Sequence, residues 1–533
     1  MRLFKKLTWL LKEQRKQKNK PDTRIESEES NLQIFSQSLQ KTLDTVKEKL
    51  DNSSDLIIRE FYVGSNREGG VKAALFFLDG LVNLPMINDS IIKPLIHDSC
   101  LTHAEDTDDL SHMDEIRDRL LAAGEVKTVY TYDEAIAACL SGNAILVVDG
   151  FGKALDIGVK GWEKRAITEP ASEPALRAPR EGFTENLRTN TSMIRRKIKD
   201  PALKIRSTVI GKRTHTQINI LYIEGLADPN LIREVAQRLK KIDTDAILAT
   251  GYVEQYIEDE PFSIFPTIWC SEKPDAVAGK LLEGRVAVVV DGTPFVMTVP
   301  MLFVENFQNA EDYITRSYYA TVMRILRMIA FLICLLAPAV YISLSTYHQE
   351  LIPSTFLFSM AASSEGTPFP VAVEMGVMLL IFLILREAGI RLPRAIGQTI
   401  SIVGALVMGE ASVQAGIVGA PVVIIVSITA VAGFAIPFIT DATTILAWFL
   451  MFMATTMGSF GITIGVFVIF IHLVSLRSFG ARYLAPFAPF QINDLKDTVV
   501  RVPLWAMHTR PHEINPQDFI REDSQNPNRR EKS

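Results

Sequence analysis

Apolar positions along this chain change their spacing near residue 328. Before it they form short runs closed by Asp-Gly or Glu-Gly, alternating with helical patterns. After it they form long runs without cations. Met328–Tyr347 is an uncharged run of 20 residues, enough to cross about 30 Å of hydrocarbon, and Pro338 within it predicts a kink. Val371–Leu385 follows, then Ile396–Ala415, Val422–Ile436 and Thr443–Leu476, broken by Gly416, Gly419, Pro421 and Pro437. No Lys or Arg stands between Met328 and Leu385, or between Ala395 and Leu476. Solvated surfaces do not run that long without a cation. The pattern predicts an α-helical polytopic membrane domain over 311–480 and excludes a purely soluble protein.

The first half reads as an α/β region. Leu75-Phe-Phe-Leu-Asp-Gly-Leu81 is echoed by Ile220-Leu-Tyr-Ile-Glu-Gly-Leu226, and Ala144-Ile-Leu-Val-Val-Asp-Gly150 by Val286-Ala-Val-Val-Val-Asp-Gly292, at offsets of 145 and 142 residues. Each is an apolar strand stopped by a turn dipeptide. Helical patterns lie between, as at Asp109–Ala123 and Pro229–Lys241. Two related α/β subdomains are predicted, 51–165 and 205–310. A basic extension and lead-in helix (1–50) precedes them, a linker (166–204) separates them, and a tail (481–533) ends the chain.

Charge sets the orientation. Residues 328–533 hold 12 Lys+Arg and 13 Asp+Glu, which leaves 44 of 56 and 48 of 61 for residues 1–327. Arg316, Arg324 and Arg327 precede the first apolar run, Arg386, Arg391 and Arg394 follow the second, and Arg477 and Arg482 follow the last. The positive-inside rule then puts the N-terminal region and the C-terminal tail in the cytosol. It also demands an even number of crossings between Arg394 and Arg477, where three blocks stand. Four crossings in all, with Ile396–Ala415 as a re-entrant or broken segment, satisfy it. At the N-terminus Leu3, Leu7, Leu10 and Leu11 share a helical face among eight basic residues in the first twenty. That face suits an anionic membrane surface; a solvated basic tail is the equal alternative.

Candidate chemistry is sparse. Glu374, Glu410 and Asp441 sit in or beside apolar blocks, where an ionised side chain costs about 2.5–3.5 kcal/mol on insertion scales. Glu374 and Glu410 therefore read as pore or intramembrane functional acids, and Glu374 as water-facing. Asp441, beside Pro437, reads first as a helix cap at the interface. Gly461 and Gly465 have close-packing spacing. The Pro-rich linker carries Arg177, Arg180, Glu181, Glu185, Arg195 and Arg196, read either as a plain linker or as contacts to a partner or another domain. No P-loop, HExxH or GxSxG occurs, and the four cysteines are dispersed. No cofactor, metal or nucleic acid is indicated, and the soluble part fits a reducing compartment.

Several segments of the chain form a set of motifs. They are Glu169-Pro170 with Ser172-Glu173, Arg177-Ala-Pro-Arg-Glu-Gly-Phe-Thr-Glu185, Asn190, and Ile194-Arg-Arg-Lys-Ile198. Others are Asp291-Gly-Thr-Pro294, Glu311-Asp-Tyr313, Pro368-Phe-Pro370 with Glu374, Arg386-Glu-Ala-Gly-Ile-Arg-Leu-Pro-Arg394, and Asp494-Leu-Lys-Asp497 before Arg501-Val-Pro503. Together they resemble a known family, the A subunits of GerA-type spore germinant receptors of endospore-forming bacteria; where that family has Gly-Pro, this chain has Ala178-Pro179. The resemblance implies a place in the inner membrane of the dormant spore. It implies a transporter-like B subunit and a lipoprotein C subunit as partners, and nutrient-triggered ion release. It further implies that the A subunit is the oligomeric, ion-conducting component, with ligand recognition on the B subunit.

Two functions compete. One is a germinant-receptor and channel subunit, without catalytic turnover. The other is a secondary transporter of a small solute, which also tolerates broken helices and intramembrane carboxylates. No inverted repeat is visible in the apolar blocks, and the soluble half exceeds the membrane half, so the receptor reading leads. An enzyme on a membrane anchor ranks last, for want of a nucleophile or metal cluster.

Overall fold

A computed structural model describes residues 34–63, 71–97, 125–161, 177, 179–391, 407–491 and 494–521. The basic N-terminal face, the Asp109–Ala123 pattern, most of the Pro-rich linker and most of Ile396–Ala415 lie outside them. The chain divides into two compact units, 1–162 with 199–201, and the remainder.

In the first unit, helix α1 (Leu39–Lys49) leads into β1 (Leu56–Val63) and β2 (Val71–Leu78). Helix α2 runs through Leu84–Ile87, a π-turn at Asn88–Ile92 and Lys93–His97. Then come β3 (Val126–Val129), α3 (Tyr132–Leu140), β4 (Ala144–Val148) and β5 (Ala154–Ile157). The sheet order is β1-β2-β4-β5-β3, and every pairing is antiparallel. Strand alternation sorts β2 onto two faces. Ala73, Leu75 and Phe77 pack with Ile87, Ile91 and Leu95 of α2. Ala74, Phe76 and Leu78 pack with Leu43 and Val46 of α1 and Ile136 and Cys139 of α3. Both faces are covered, so β4 is buried along its whole length and reads as a continuous apolar run.

The second unit opens on the same plan. Its elements are α4 (Leu187–Lys197), β6 (Leu203–Ile210), β7 (Thr216–Ile223), α5 (Pro229–Lys241), α6 (Thr250–Ile257), β8 (Trp269–Ser271), α7 (Pro274–Leu281), β9 (Val286–Val290) and β10 (Val296–Val299). The order β6-β7-β9-β10-β8 matches the first sheet position for position. The echoed strings occupy its second and third places, as β2 and β7, and as β4 and β9.

The turn dipeptides have a further duty in both repeats. Asp149 Oδ1 accepts from the amide of Leu39, the first residue of α1, at 2.8 Å. Asp291 Oδ1 accepts from Leu187, the first residue of α4, at 3.1 Å. The following glycines, at φ 90° and 86°, donate their amides to Gln37 O and Glu185 O, both at 2.8 Å. A helix start has unsatisfied N–H groups and a partial positive charge, so each Asp-Gly corner clamps the helix that precedes its sheet. Hence the predicted linker 166–204 is not all linker: its second half is α4, the counterpart of α1. Charge-rich composition hid α4, because its buried face uses Thr189, Asn190, Thr191 and Ser192 beside Met193 and Ile194.

The remainder is helical. Helix α8 (Ser317–Thr346) passes unbroken through Pro338, and α9 (Ser354–Ser364), α10 (Val371–Arg391) and α11 (Ala420–Phe434) follow. Ser317–Thr346 and Pro437–Ser475 are long and apolar enough to cross a membrane. The second is not one straight helix. Thr440–Ser475 breaks at Gly458 (φ 61°, ψ −141°) into α12 (440–457) and α13 (459–475). A Cβ on Gly461 would meet Met453 O at 2.1 Å, and one on Gly465 would meet Leu450 at 2.5 Å. In a straight helix residues 450 and 465 would stand about 22 Å apart, so the chain doubles back. The single crossing expected over Thr443–Leu476 is therefore a hairpin of two limbs, each about 25 Å long. Uniform apolarity concealed it.

Contacts order the bundle. The Tyr347 hydroxyl at the end of α8 donates to Thr455 O at 2.7 Å beside the Gly458 corner, while α13 returns to the second sheet, where His472 meets Ser263. Arg386 near the end of α10 reaches Asp441 in the first turn of α12. Glu374 in the first turn of α10 meets Gly419 at the start of α11. Helices α10 and α11 thus run the same way, and Arg391 and Gly419 stand at opposite ends of the bundle.

Asp149→Ala and Asp291→Ala should each loosen the start of the helix they clamp, by about 1 kcal/mol, as for a lost N-terminal cap. Hydrogen exchange on the full chain should show faster exchange at Leu39 in the first variant and at Leu187 in the second, each without the other. Gly461→Leu should force the hairpin limbs apart and lower the apparent Tm, at a cost of about 1–3 kcal/mol for overpacking. A variant as stable as the parent would refute the close approach.

Candidate functional site at the junction of sheet and membrane helices

The second sheet and the apolar helices share one core. It runs from Leu221, Ile223 and Val289 through Phe303 and Phe307 to Phe331, Leu335 and Ile342 of α8 and Leu473 of α13. Phe303, Phe307 and Phe331 meet edge to face at 5.4–5.8 Å, the arrangement favoured by ring quadrupoles.

Charge is buried at the same level. Arg324 of α8 is 0% exposed. Its Nε donates to Asp312 Oδ2 at 3.1 Å, and its Nη1 donates to Asp497 Oδ1 at 3.0 Å and to Asp497 O at 2.5 Å. Arg327 Nη1 donates to Asp312 Oδ2 at 2.9 Å. The Tyr313 hydroxyl donates to Asp497 Oδ2 at 3.0 Å, and Arg501 Nη2 donates to Tyr313 O at 3.0 Å. The tail segment 494–501 is thereby strapped across the base of α8. Beside it, Glu305 is held by Arg285 at 2.5 Å and Lys280 at 2.7 Å. Burial works to raise the Glu305 carboxyl, but Arg285 and Lys280 hold it below its usual range. In the sequence Arg324 and Arg327 read only as positive-inside markers, Asp312, Tyr313, Asp497 and Arg501 only as parts of family motifs, and Lys280, Arg285 and Glu305 carried no signal. Which arginine pairs with which acid depends on contacts across some 170 residues.

The sequence-selected acids part company. Glu374 is 2% exposed, against the water-facing expectation, and its Oε2 accepts from the Gly419 amide at 3.0 Å. It latches α10 to the amino end of α11, where a carboxylate suits the exposed N–H groups. Glu410 is exposed, near Gln414, whose Nε2 donates to it at 3.1 Å. Asp441 is 97% exposed, caps no helix, and lies 3.7 Å from Arg386. Beside this pair a cavity of about 470 Å³ opens between α8, α10, α11 and α12, lined by Cys334, Thr429, Thr444 and Trp448 among others.

Three of the six linker residues, Glu181, Arg195 and Arg196, are spent inside the chain. Arg195 is buried, with Nη1 donating to Leu203 O at 2.6 Å. Asn190 binds the backbone of Thr184 on both sides, at 2.7 and 2.6 Å. Arg196 pairs with Glu181 at 3.2 Å. The Arg177 amide donates to Glu311 Oε1 at 3.2 Å. Arg177, Arg180 and Glu185 remain exposed.

A further acid escaped the sequence. Glu254 of α6 lies 3.9 Å from the Cys270 thiol. Burial first, and then the neighbouring Glu258, push its carboxyl up to about 7 from 4.5. Between pH 4.5 and 7 the unfolded chain releases this proton while the folded chain keeps it. Stability should therefore fall as pH rises through that window and level off above it. Glu254→Gln should remove this component: the Tm of the parent minus that of the variant should fall from pH 4.5 to 7 and stay flat above. A difference independent of pH would refute the buried protonated acid.

Known proteins resemble this chain over most of its length. The profile of the family described as "Bacillus/Clostridium GerA spore germination protein" matches residues 44–513. Spore germination protein KA of Bacillus subtilis (strain 168) is 45% identical over 92% of this chain and 89% of its own. Spore germination protein GerLA of Bacillus cereus is 36% identical over 90% and 96%. A protein of Bacillus subtilis (strain 168) named as an uncharacterized membrane protein, YfkQ, is 41% identical over 91% and 93%. The crystal structure of the N-terminal domain of the A subunit of the Bacillus megaterium spore germinant receptor GerK3 is 35% identical, covering 51% of this chain and 98% of that one, with a TM-score of 0.40. The chain belongs to the GerA family of spore germination proteins, as a germinant-receptor A subunit with an α/β front and an apolar helical region suited to a membrane.

Proposed function

We propose that this chain is the ion-conducting subunit of a nutrient-triggered germinant receptor. It acts in the inner spore membrane as a homo-oligomer with a transporter-like B subunit and a lipoprotein C subunit. The observation that supports conduction is Glu410. It is exposed on the outside of the single chain, in a short stretch close to the bundle end where Gly416 approaches Gly366. A carboxylate facing lipid there is costly. Facing a neighbouring copy or a water-filled lumen it is not, and rings of acids draw cations into a pore.

The transmembrane count follows the hairpin. With α12 and α13 as separate crossings, the segments between Arg394 and Arg477 become four: Ile396–Ala415, α11, α12 and α13. Even parity then holds with no re-entrant segment, and both termini stay cytosolic. The shared core supports the receptor role. Helices α8 and α13 both root in the second sheet, so a displacement of that sheet is passed to the bundle.

Glu410→Gln should leave receptor level intact in spores and slow nutrient-triggered cation release several-fold. Glu374→Gln keeps an oxygen acceptor for Gly419 and should have the smaller effect. Wild-type release rates in a normally assembled Glu410→Gln receptor would overturn the proposed conduction role.

A further inference from the structure

Helix α6 and the loop after it carry apolar surface that the bundle does not cover. Phe262 is 99% exposed, Ile264 in the same loop is exposed, and so are Tyr252 and Tyr256 on α6. The loop is rigidly held all the same. Ser263 Oγ lies 3.2 Å from His472 Nε2, and the Ser263 hydroxyl accepts from the Phe265 amide at 3.1 Å. Phe265 is buried against the same histidine, with ring centroids 6.0 Å apart. Behind it Asp259 pairs with Arg238 at 2.5 Å and accepts from the Phe479 amide.

His472 is in the last turn of α13. The surface of α13 stays apolar down to that level, with Phe467, Ile471 and Val474 exposed. Phe262 is one residue from Ser263, so it stands at the depth where the apolar belt of the last helix ends. An aromatic side chain presented to water by a pinned loop, at the level of a helix end, has the chemistry of a headgroup-region anchor.

We infer that the Pro261–Pro266 loop of the second subdomain dips into the lipid headgroup region, with Phe262 and Ile264 as the inserted side chains. This deepens the membrane reading and rests on it: if α8 to α13 do not span a bilayer, the loop has no lipid to meet. The occupant is lipid and not a protein groove, because the apolar patch continues the lipid-level surface of α13. The segment Pro261–Pro266 holds no charged residue, and the acids Glu258, Asp259 and Glu260 precede it, so insertion is apolar and should persist at high salt.

The test is spin-label accessibility on the full chain, its four cysteines replaced by Ala, in phosphatidylcholine–phosphatidylglycerol bilayers. Labels are placed through Phe262→Cys, through Phe452→Cys and Phe467→Cys on exposed helix positions, and through Arg213→Cys, whose native side chain is 83% exposed in a charged hairpin. Expected is a label at 262 that favours lipid-soluble oxygen over a water-soluble nickel chelate, as at 452 or 467 and opposite to 213. A label at 262 that favours the chelate, with 452 or 467 favouring oxygen, overturns the anchor and leaves the membrane reading standing. A label at 262 shielded from both reagents also overturns it, in favour of a protein partner. If 452 and 467 both favour the chelate, the membrane reading falls, and the anchor with it.

Discussion

A guanidinium with no exposed surface needs counter-charge fixed around it, and the architecture of this chain is organised around one. Arg324 lies in α8, Asp312 in the segment leaving the second sheet, and Asp497 in the tail beyond α13. Taking out one partner of a buried pair strands a charge, at a cost of about 3–5 kcal/mol. Such a cluster gives little net stability but strongly rejects other arrangements. It fixes the height at which α8 leaves the soluble fold, and it brings the tail back to that height. The aromatic contacts of Phe303, Phe307 and Phe331 then fill the space the arrangement creates.

The duplicated plan carries a local device that explains its persistence in the sequence. Strand strings alone are generic: Val, Ile and Leu in a buried sheet tolerate exchange. The Asp-Gly corner is less tolerant. Its aspartate caps the helix ahead of the sheet, and its glycine sits at positive φ with its amide turned to that helix's entry. Both functions are needed at once, so the dipeptides at 149–150 and 291–292 stayed recognisable, and with them the flanking strands. That is why the repeat was legible. The lead-in helix α4 was not, because its packing face is polar and satisfied internally, as Asn190 and Arg195 show. A residue that binds a backbone carbonyl inside its own domain looks, in sequence, like one that awaits a partner.

The membrane half shows the opposite balance. Existence of apolar helices was plain from charge alone, but their number was not. Hydropathy measures transfer, and transfer is blind to direction. The reversal at Gly458 costs no apolarity; its signature is one glycine in a conformation L-residues avoid, followed by Gly461 and Gly465 at the spacing that lets the limbs close. The weak small-residue signal was thus the informative one, pointing inward to the same chain. The three acids were likewise found by cost and left unsorted by it. Glu374 meets an amide, Asp441 an arginine, and Glu410 faces outward; only packing separates these outcomes.

The hairpin also bears on how a signal would travel. Helix α8 leaves the second sheet, and α13 returns to it, so the two are held at their base by the same domain and at their far end by Tyr347 against the 455–458 corner. Elements tied at both ends move together or not at all. Among the described residues, helices α10 and α11 show no such tie to the sheet. They are joined to each other by Glu374 and Gly419, and to α12 through Arg386 and Asp441, a pair at 3.7 Å that is open to its surroundings. An open, long ion pair is worth at most about 1 kcal/mol, while the Arg324 cluster resists separation by several times that. Strain entering through the sheet would therefore be relieved first between α10 and α12, next to the cavity, before the Arg324 cluster yields, so the compliant helix is α10, which carries Glu374 at its other end.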